Sequence, residues 1–162
     1  METSRSNKRI GEILMERGLV TRRQLELALE HQRITGQFLG ATLIDLGFIN
    51  SKILLETLSE QFRIPHEPLS EGRVDWEAVK KFPASLLASG KCFPVRADAA
   101  TVTIALANPL DVEAVSQAEK FAGLRQVKLV LVLERELREV VRAYQQRILR
   151  SLSSQLKSHG SL

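Results

Sequence analysis

The chain has 162 residues, enough for one domain of ordinary size or two small ones. Hydrophobic residues make up 44% and charged residues 26%, as in a soluble globular protein, whereas aromatic residues reach only 5%, so the core is expected to be aliphatic. The net charge of +4 is spread among interleaved acidic and basic residues, and a nucleic-acid partner is therefore not indicated.

Cysteine and histidine are too few and too scattered for a redox or metal site. Cys92 is the single cysteine, so it is expected to be a buried thiol. His31, His66 and His159 lie far apart and form no ligand cluster with it. The N-terminus lacks the apolar core of a signal peptide, and no run approaches the roughly 18 apolar residues of a transmembrane helix. We expect a cytoplasmic protein with no metal site, no cofactor and no direct membrane insertion.

An internal repeat occupies the first part of the chain. Residues 9–32 align without a gap with residues 38–61, and residues 33–37 separate the two copies. Glycine, leucine and glutamine recur at the matched positions Gly11/Gly40, Leu14/Leu43, Gly18/Gly47, Leu25/Leu54, Leu29/Leu58 and Gln32/Gln61. Chance rarely aligns these three residue types together, so the copies are expected to fold alike and to present two equivalent surfaces.

Each copy has the pattern of a short helix, a glycine stop and a longer helix. Apolar residues at one-face spacing predict the first helix over residues 10–17. Gly18 and Gly47 stand where a helix end favours a residue with positive φ. Thr21 and Asn50 are predicted N-caps of the longer helices, and Thr21 with Gln24 fits a capping box.

Packing alone accounts less well for two glycines and two glutamines. Glycine in a first helical turn costs roughly 1 kcal/mol against alanine, so Gly11 and Gly40 indicate a close approach to the backbone. The amides of Gln32 and Gln61 suit a nucleobase edge, and the Arg9 guanidinium suits phosphate or guanine. A helix N-terminus also favours phosphate. These residues indicate nucleotide binding about as strongly as a plain helical bundle.

The second part of the chain changes to an α/β pattern. Residues 65–75 are predicted to be a linker, residues 76–148 a small α/β subdomain and residues 149–162 a flexible tail. Strands are predicted at 92–96, 101–107 and 127–133, and the last helix at 134–146. With a helical tandem-repeat subdomain at residues 9–64, the predicted fold class is α+β with a three-stranded sheet.

The two copies resemble the tandem motif of the MshEN domain family, R-L-G-x-x-L-(V/I)-x-x-G-x-I-x4-L-x-x-A-L-x-x-Q, whose copies also have a five-residue spacer. The spacing agrees throughout, and the resemblance continues through Ile64 and Pro65 to about Tyr144. Domains of this family stand at the N-terminus of ATPases that assemble type IV pili and type II secretion systems. The resemblance implies binding of the bacterial second messenger cyclic di-GMP.

The resemblance also implies which residues bind the ligand, each copy embracing part of an extended dinucleotide. By position they are Arg9, Ile10, Gly11, Leu25, Leu29 and Gln32 in the first copy, and Leu39, Gly40, Leu54, Leu58 and Gln61 in the second. Phe38 departs from the family, which has arginine there, so charge-assisted hydrogen bonds worth roughly 1.5–3 kcal/mol each are lost. Asn108 stands where the family commonly has aspartate.

No enzyme motif is present in the sequence. The nearest approach to a P-loop, Ser85 with Gly90, Lys91 and Cys92, lacks the first glycine and has cysteine where serine or threonine binds magnesium. There is no Ser-His-Asp order and no HExxH, and no motor domain fits in the remaining length. We expect a protein that is not an enzyme and has no catalytic residues.

Two functions of different classes follow from these features. The first is a cyclic di-GMP receptor that couples second-messenger level to a pilus, secretion or motility machine through a protein partner. The second is a nucleotide-free structural adaptor that docks onto a platform protein of such a machine. The retained glycines, leucines and glutamines favour the receptor, whereas Phe38 and Asn108 favour the adaptor.

Overall fold

Helices fill the first part of the chain and a small sheet the second, in a computed structural model that describes residues 8–159, with the side chains of Phe121 and His159 excepted. The chain divides into two compact units, and the boundary lies between His66 and Glu67. The predicted α+β class, with a helical subdomain first and a three-stranded sheet after it, is confirmed.

The first unit contains two helix pairs, one for each motif copy. The helices are α1 Ile10–Glu16, α2 Arg22–Thr35, α3 Leu39–Asp45 and α4 Ser51–Phe62. Gly18 and Gly47 follow α1 and α3 with φ of 67° and 72°, in the left-handed region where glycine has no Cβ penalty. Both predicted glycine stops are therefore confirmed.

Side-chain caps begin the two longer helices. The Thr21 hydroxyl accepts a hydrogen bond from the Gln24 N–H at 3.2 Å, and the Gln24 side chain accepts one from the Thr21 N–H at 2.8 Å, which completes the predicted capping box. Asn50 Oδ1 accepts from the Ile53 N–H at 2.9 Å. Both predicted N-caps are confirmed, and each satisfies a helix N–H that has no partner within the helix.

The core of the first unit forms between the copies. Helix α1 contacts α4, and α2 contacts α3, so the short helix of each copy lies against the long helix of the other. Leu14, Ala28 and Leu43 are fully buried in this core. Thr42 and Thr57 are also fully buried, and their hydroxyls donate to main-chain carbonyls one turn earlier, which satisfies them without water.

The second unit has a three-stranded mixed sheet with helices before, between and after the strands. Its elements are a 3₁₀ turn Glu71–Arg73, α5 Trp76–Val79, α6 Ala84–Leu87, β1 Cys92–Ala97, β2 Thr101–Leu106, α7 Val112–Ala122, β3 Gln126–Leu131 and α8 Glu134–His159. Strand β2 lies at the centre, antiparallel to β1 and parallel to β3, with α7 in the crossover between the parallel strands. The strands lie within two residues of their predicted bounds.

An aromatic cluster joins the ends of the second unit to β1. The buried ring of Phe93 meets the rings of Trp76 and Tyr144 edge-on, with centroids 6.1 Å and 6.2 Å away. The Arg147 guanidinium lies 4.2 Å from the Trp76 ring centroid, and the Trp76 indole N–H donates to the Glu71 carbonyl at 3.1 Å. These contacts hold the 3₁₀ turn, α5 and α8 together.

The segment predicted as a linker is attached to the sheet from residue 67 onward. The Glu67 N–H donates to the Leu131 carbonyl at 3.0 Å, and the Asp75 N–H donates to the Val95 carbonyl at 2.8 Å. The prolines and glycine of this segment indicated a turn but carried no information about the strand carbonyls that bind it.

Helix α8 is longer than the sequence analysis predicted. It continues to His159 instead of ending near residue 146, so the tail predicted from residue 149 is helical as far as the structure describes it, and residues 160–162 lie outside the described part. Serine content suggested an irregular segment, but the apolar residues there keep helical spacing. They are exposed, and comprise Ile148, Leu149, Leu152 and Leu156.

Asp111 caps α7 and anchors a lysine. Its carboxylate accepts hydrogen bonds from the N–H groups of Glu113 and Ala114 at 3.1 Å and 3.2 Å, and from Lys91 Nζ at 3.1 Å. Partial burial acts to raise the pKa of Asp111, but the Ala114 N–H and the Lys91 ammonium outweigh it and hold the pKa below its ordinary value.

Asp111→Ala should lower the free energy of unfolding of the second unit by roughly 1 kcal/mol, because α7 loses its N-cap. Asp111→Asn keeps a capping oxygen and should cost less at neutral pH. Because the folded pKa is depressed, ionisation of Asp111 contributes stability above its unfolded pKa of about 4, and this is lost as pH falls through the folded value. Denaturant unfolding at several pH values measures it. An unchanged gap between the native chain and Asp111→Asn in acid would contradict the assignment.

Candidate ligand-binding site

Reciprocal hydrogen bonds tie the ends of the two copies together. Gln32, the last residue of the first copy, donates from Nε2 to the Gln37 carbonyl at 3.0 Å, directly before the second copy. Gln61, the last residue of the second copy, donates from Nε2 to the Lys8 carbonyl at 3.1 Å, directly before the first copy. Each terminal glutamine therefore holds the chain that enters the short helix of the opposite copy.

These bonds engage the amide groups that the sequence assigned to a nucleobase. Both Nε2 donors bind main-chain carbonyls. The Oε1 atom of Gln61 is buried and has no hydrogen-bond partner among residues 8–159. A buried acceptor without a donor is uncommon and indicates a place where a further group can bind.

Gly11 and Gly40 are each covered by a leucine of the same copy. A Cβ atom on Gly11 would lie 2.8 Å from Leu25 Cδ1, and one on Gly40 would lie 2.5 Å from Leu54 Cδ1. The close approach predicted from these glycines is therefore present, but a leucine side chain makes it. Packing of the leucine ends against these glycines thus gives them a use within the helical unit that the sequence analysis did not foresee.

The remaining predicted site residues differ in exposure. Arg9 and Leu29 are exposed, and Leu39 is half-buried. Ile10 and Leu58 are only 7% and 3% exposed and belong to the core. Because core side chains are close-packed, a contact between Leu58 and a ligand would require repacking. The structure thus brings some of the predicted residues to the surface and places others beneath it.

Arg9 is the first residue of the first copy, and the peptide group that joins it to Lys8 is hydrogen-bonded at both its N–H and its carbonyl. Its N–H donates to Glu12 Oε2 at 2.8 Å, and the carbonyl of the same peptide belongs to Lys8, which accepts from Gln61. The sequence analysis missed Glu12. Its position three residues after the residue that begins the helix is the signal that could have found it, because an acidic residue there commonly accepts from the N-cap N–H.

The second copy lacks this arrangement. Phe38 occupies the position of Arg9, is 44% exposed, and offers neither charge nor side-chain donor. Ala41 stands where the first copy has Glu12, so no side chain among residues 8–159 accepts from the Phe38 N–H. The two copies therefore have the same pair of helices but different side chains at the start of the short helix.

An ion pair between the copies adds to this inequality. The Arg17 guanidinium pairs with the Glu60 carboxylate, joining the end of α1 to α4. Leu46 and His31 occupy the equivalent positions on the other side, so the pair has no counterpart there. The sequence analysis missed this pair because nothing local relates residues so far apart in the chain.

Asn108, the second departure from the family pattern, is used in a turn. Its Oδ1 accepts from the Leu110 N–H at 2.9 Å, in the loop between β2 and α7. The asparagine side chain thus shapes its own loop.

Other chemistry is limited in the part of the chain that the structure describes. No group of three or more His, Cys, Asp or Glu side chains there is arranged to hold a metal ion. No helix within residues 8–159 is long and apolar enough to cross a membrane. Cys92 is buried as predicted, and burial raises its pKa to about 11, so the thiol is protonated and unreactive near neutral pH.

The chain combines a duplicated helical motif with a small α/β unit that follows it. The MshEN domain matches residues 62–151, more than half of the chain. The chain belongs to the MshEN domain family. This match begins at Phe62 and covers the sheet and α8 as far as Ser151, so the likeness of the preceding tandem motif rests on its own residues and on related structures.

Related proteins show how far the likeness extends. The structure of MshE with cdg (cyclic di-GMP) has a TM-score of 0.77 at 33% identity, covering 85% of this chain and 99% of that one. The N-terminal domain of XpsE has a TM-score of 0.62 at 22% identity, covering 88% of this chain and 97% of that one, and shows a likeness of fold alone. The type IV pilus assembly ATPase PilB of Thermus thermophilus is 31% identical over 120 residues, 73% of this chain, but the chain spans only 14% of that protein.

Gly40→Ala should lower the free energy of unfolding by roughly 1 kcal/mol or less, because the Leu54 end must move away from the new Cβ while alanine gains helix propensity over glycine. Gly11→Ala should cost less, since Leu25 lies slightly farther away. Gly72→Ala is the control, because nothing lies within 4 Å of a Cβ there. Denaturant unfolding measures all three. If Gly40→Ala is as costly in a Leu54→Ala background, contact with this leucine is not the cause.

Proposed function

We propose that this chain is a regulatory module that binds cyclic di-GMP and couples its level to a type IV pilus, type II secretion or motility machine. The observation that carries the proposal is the retention of the binding motif in both copies. It is supported by 33% identity and a TM-score of 0.77 to the structure of MshE with cdg. The dinucleotide has two equivalent halves, and a duplicated unit offers one surface to each.

Two kinds of group would bind the ligand. No ion pair joins the Arg9 guanidinium to a carboxylate within residues 8–159, so its planar set of donors would bind phosphate or a guanine edge. Leu25 and Leu54 are half-buried over their glycines, and their flexible ends would cover the base faces.

We further propose that the module acts in the cytoplasm without catalysis, cofactor or nucleic acid, and that its output is contact with a protein of the machine. Lys91, in the stretch nearest to a P-loop, is paired with Asp111 and Glu113. A lysine held by two carboxylates is poorly placed to bind a nucleotide phosphate.

A structural adaptor that binds no nucleotide is the second candidate. The space above both motif glycines is filled by Leu25 and Leu54, so the glycines have a use without a ligand. Phe38 exposes an apolar ring where the family has arginine. Exposed aromatic side chains are enriched in protein–protein interfaces, which suits docking onto a platform protein.

Calorimetric titration with cyclic di-GMP should show saturable binding to the purified chain, whereas GTP and ATP should give none. Arg9→Ala should weaken binding by roughly tenfold or more, because a charge-assisted hydrogen bond is lost. Arg23→Ala removes an exposed arginine at a position that the motif leaves unspecified and should leave the affinity unchanged. Absence of heat at high micromolar cyclic di-GMP would refute the receptor and leave the adaptor.

Phe38→Arg restores the family residue in the second copy and should strengthen cyclic di-GMP binding, because the second half of the ligand gains a guanidinium partner. The gain should be seen as a lower Kd in the same titration. Phe38→Leu controls for loss of the ring. Equal affinities of Phe38→Arg and the native chain would show that this position does not face the ligand.

A further inference from the structure

We propose that Glu12 and Gln61 are positioning residues that fix the backbone from which the Arg9 side chain reaches the ligand, a role that rests on the proposed function. They act on the peptide group between Lys8 and Arg9, from which the arginine side chain emerges. Gln61 belongs to the opposite copy, so the second copy would determine the geometry of the first copy's arginine.

Both polar atoms of this peptide group have a side-chain partner. Its carbonyl oxygen, on Lys8, accepts from Gln61 Nε2 at 3.1 Å. Its N–H, on Arg9, donates to Glu12 Oε2 at 2.8 Å. Two hydrogen bonds on opposite edges of one planar group leave it little freedom to rotate, so the Arg9 Cα is fixed in place and direction.

The bond to Glu12 leaves the guanidinium available. The Glu12 carboxylate accepts a hydrogen bond from the Arg9 backbone N–H. No ion pair between Glu12 and the Arg9 side chain is found in the described part of the chain. A carboxylate bound to the guanidinium would compete with a phosphate for the same donors. The arrangement therefore fixes the backbone and keeps the side chain free.

The second copy provides an internal comparison. Gln32 holds the Gln37 carbonyl at 3.0 Å, as Gln61 holds that of Lys8. The second restraint is missing, because Ala41 replaces Glu12, and the residue that follows is Phe38. The peptide group with two side-chain hydrogen bonds precedes the Arg9 side chain, whereas the equivalent peptide group before the Phe38 side chain has one. This correlation separates positioning of Arg9 from a general need to cap the short helix.

Restraint before binding improves affinity because the backbone that carries Arg9 is already ordered on folding, and only its side chain remains to be ordered. Gln61 is therefore expected to contribute to cyclic di-GMP affinity chiefly through Arg9. Its contribution should disappear when the guanidinium is absent. Gln32, which precedes no arginine, should contribute less.

A double-mutant cycle with cyclic di-GMP tests this. Gln61→Met removes the amide and keeps the side-chain length, and should weaken binding roughly fivefold in the native chain but less than twofold in an Arg9→Ala background. Arg9→Lys replaces Arg9→Ala if the latter binds too weakly to measure. Gln37→Met, in the exposed spacer between the copies, is the control and should change the affinity less than twofold. Circular dichroism of each variant checks that the fold is retained.

Glu12 supplies a second test by conservative rescue. Glu12→Ala should weaken binding, whereas Glu12→Gln keeps an acceptor oxygen and should retain most of the affinity. Without ligand, amide hydrogen exchange at Arg9 should be slow in the native chain and in Glu12→Gln, and fast in Glu12→Ala.

The outcomes separate this inference from the proposed function. Binding by the native chain with additive losses for Gln61→Met and Arg9→Ala would overturn positioning and leave the receptor intact. Equal losses for Gln61→Met and Gln37→Met would do the same. Absence of binding by the native chain would overturn the receptor, and fast Arg9 amide exchange in the native chain would overturn the held peptide regardless of any ligand.

Discussion

Helices α1 and α3 have seven residues each, too few to be stable in water without tertiary contacts. Each finds those contacts on the long helix of the other copy, and its entering chain is held by the other copy's terminal glutamine. The remaining features of the first unit depend on these reciprocal contacts, in which each copy supports the short helix of the other. The glycines are covered by leucines of their own copy, but the short helices that carry them lie against the other copy.

Features determined by sequence neighbours were the ones predicted correctly. Two kinds of helix signal depend only on residues within one turn: the stops at Gly18 and Gly47, and the caps at Thr21 and Asn50. Each strand depends on a short run of apolar residues. The cover of Gly11 by Leu25 and the pairing of Arg17 with Glu60 depend on how helices meet, which no local pattern encodes. For the same reason, the attachment of the predicted linker to β3 could not be foreseen.

The motif predicts which positions the candidate site uses but not what each residue there does. The sequence analysis assigned the terminal glutamines to a nucleobase, yet the Gln61 amide donates to the Lys8 carbonyl, directly before the first copy. Leu58 fits the motif and lies in the core. A motif records which residue types are required, and several of them are required for folding. Burial and hydrogen-bond partners are needed to separate these from the residues that face a ligand.

In two-fold homodimers, each subunit typically makes with its partner the same contacts that the partner makes with it. Here residues 33–37 join the two surfaces in one polypeptide, so an association that would otherwise depend on protein concentration occurs at the effective concentration set by a short tether, of millimolar order. Dilution therefore cannot separate the halves. Joining them also allows the two halves to differ in sequence. A homodimer must repeat every residue, whereas a fused pair can have arginine on one side and phenylalanine on the other. A symmetric ligand of the proposed kind would then make different contacts with the two halves.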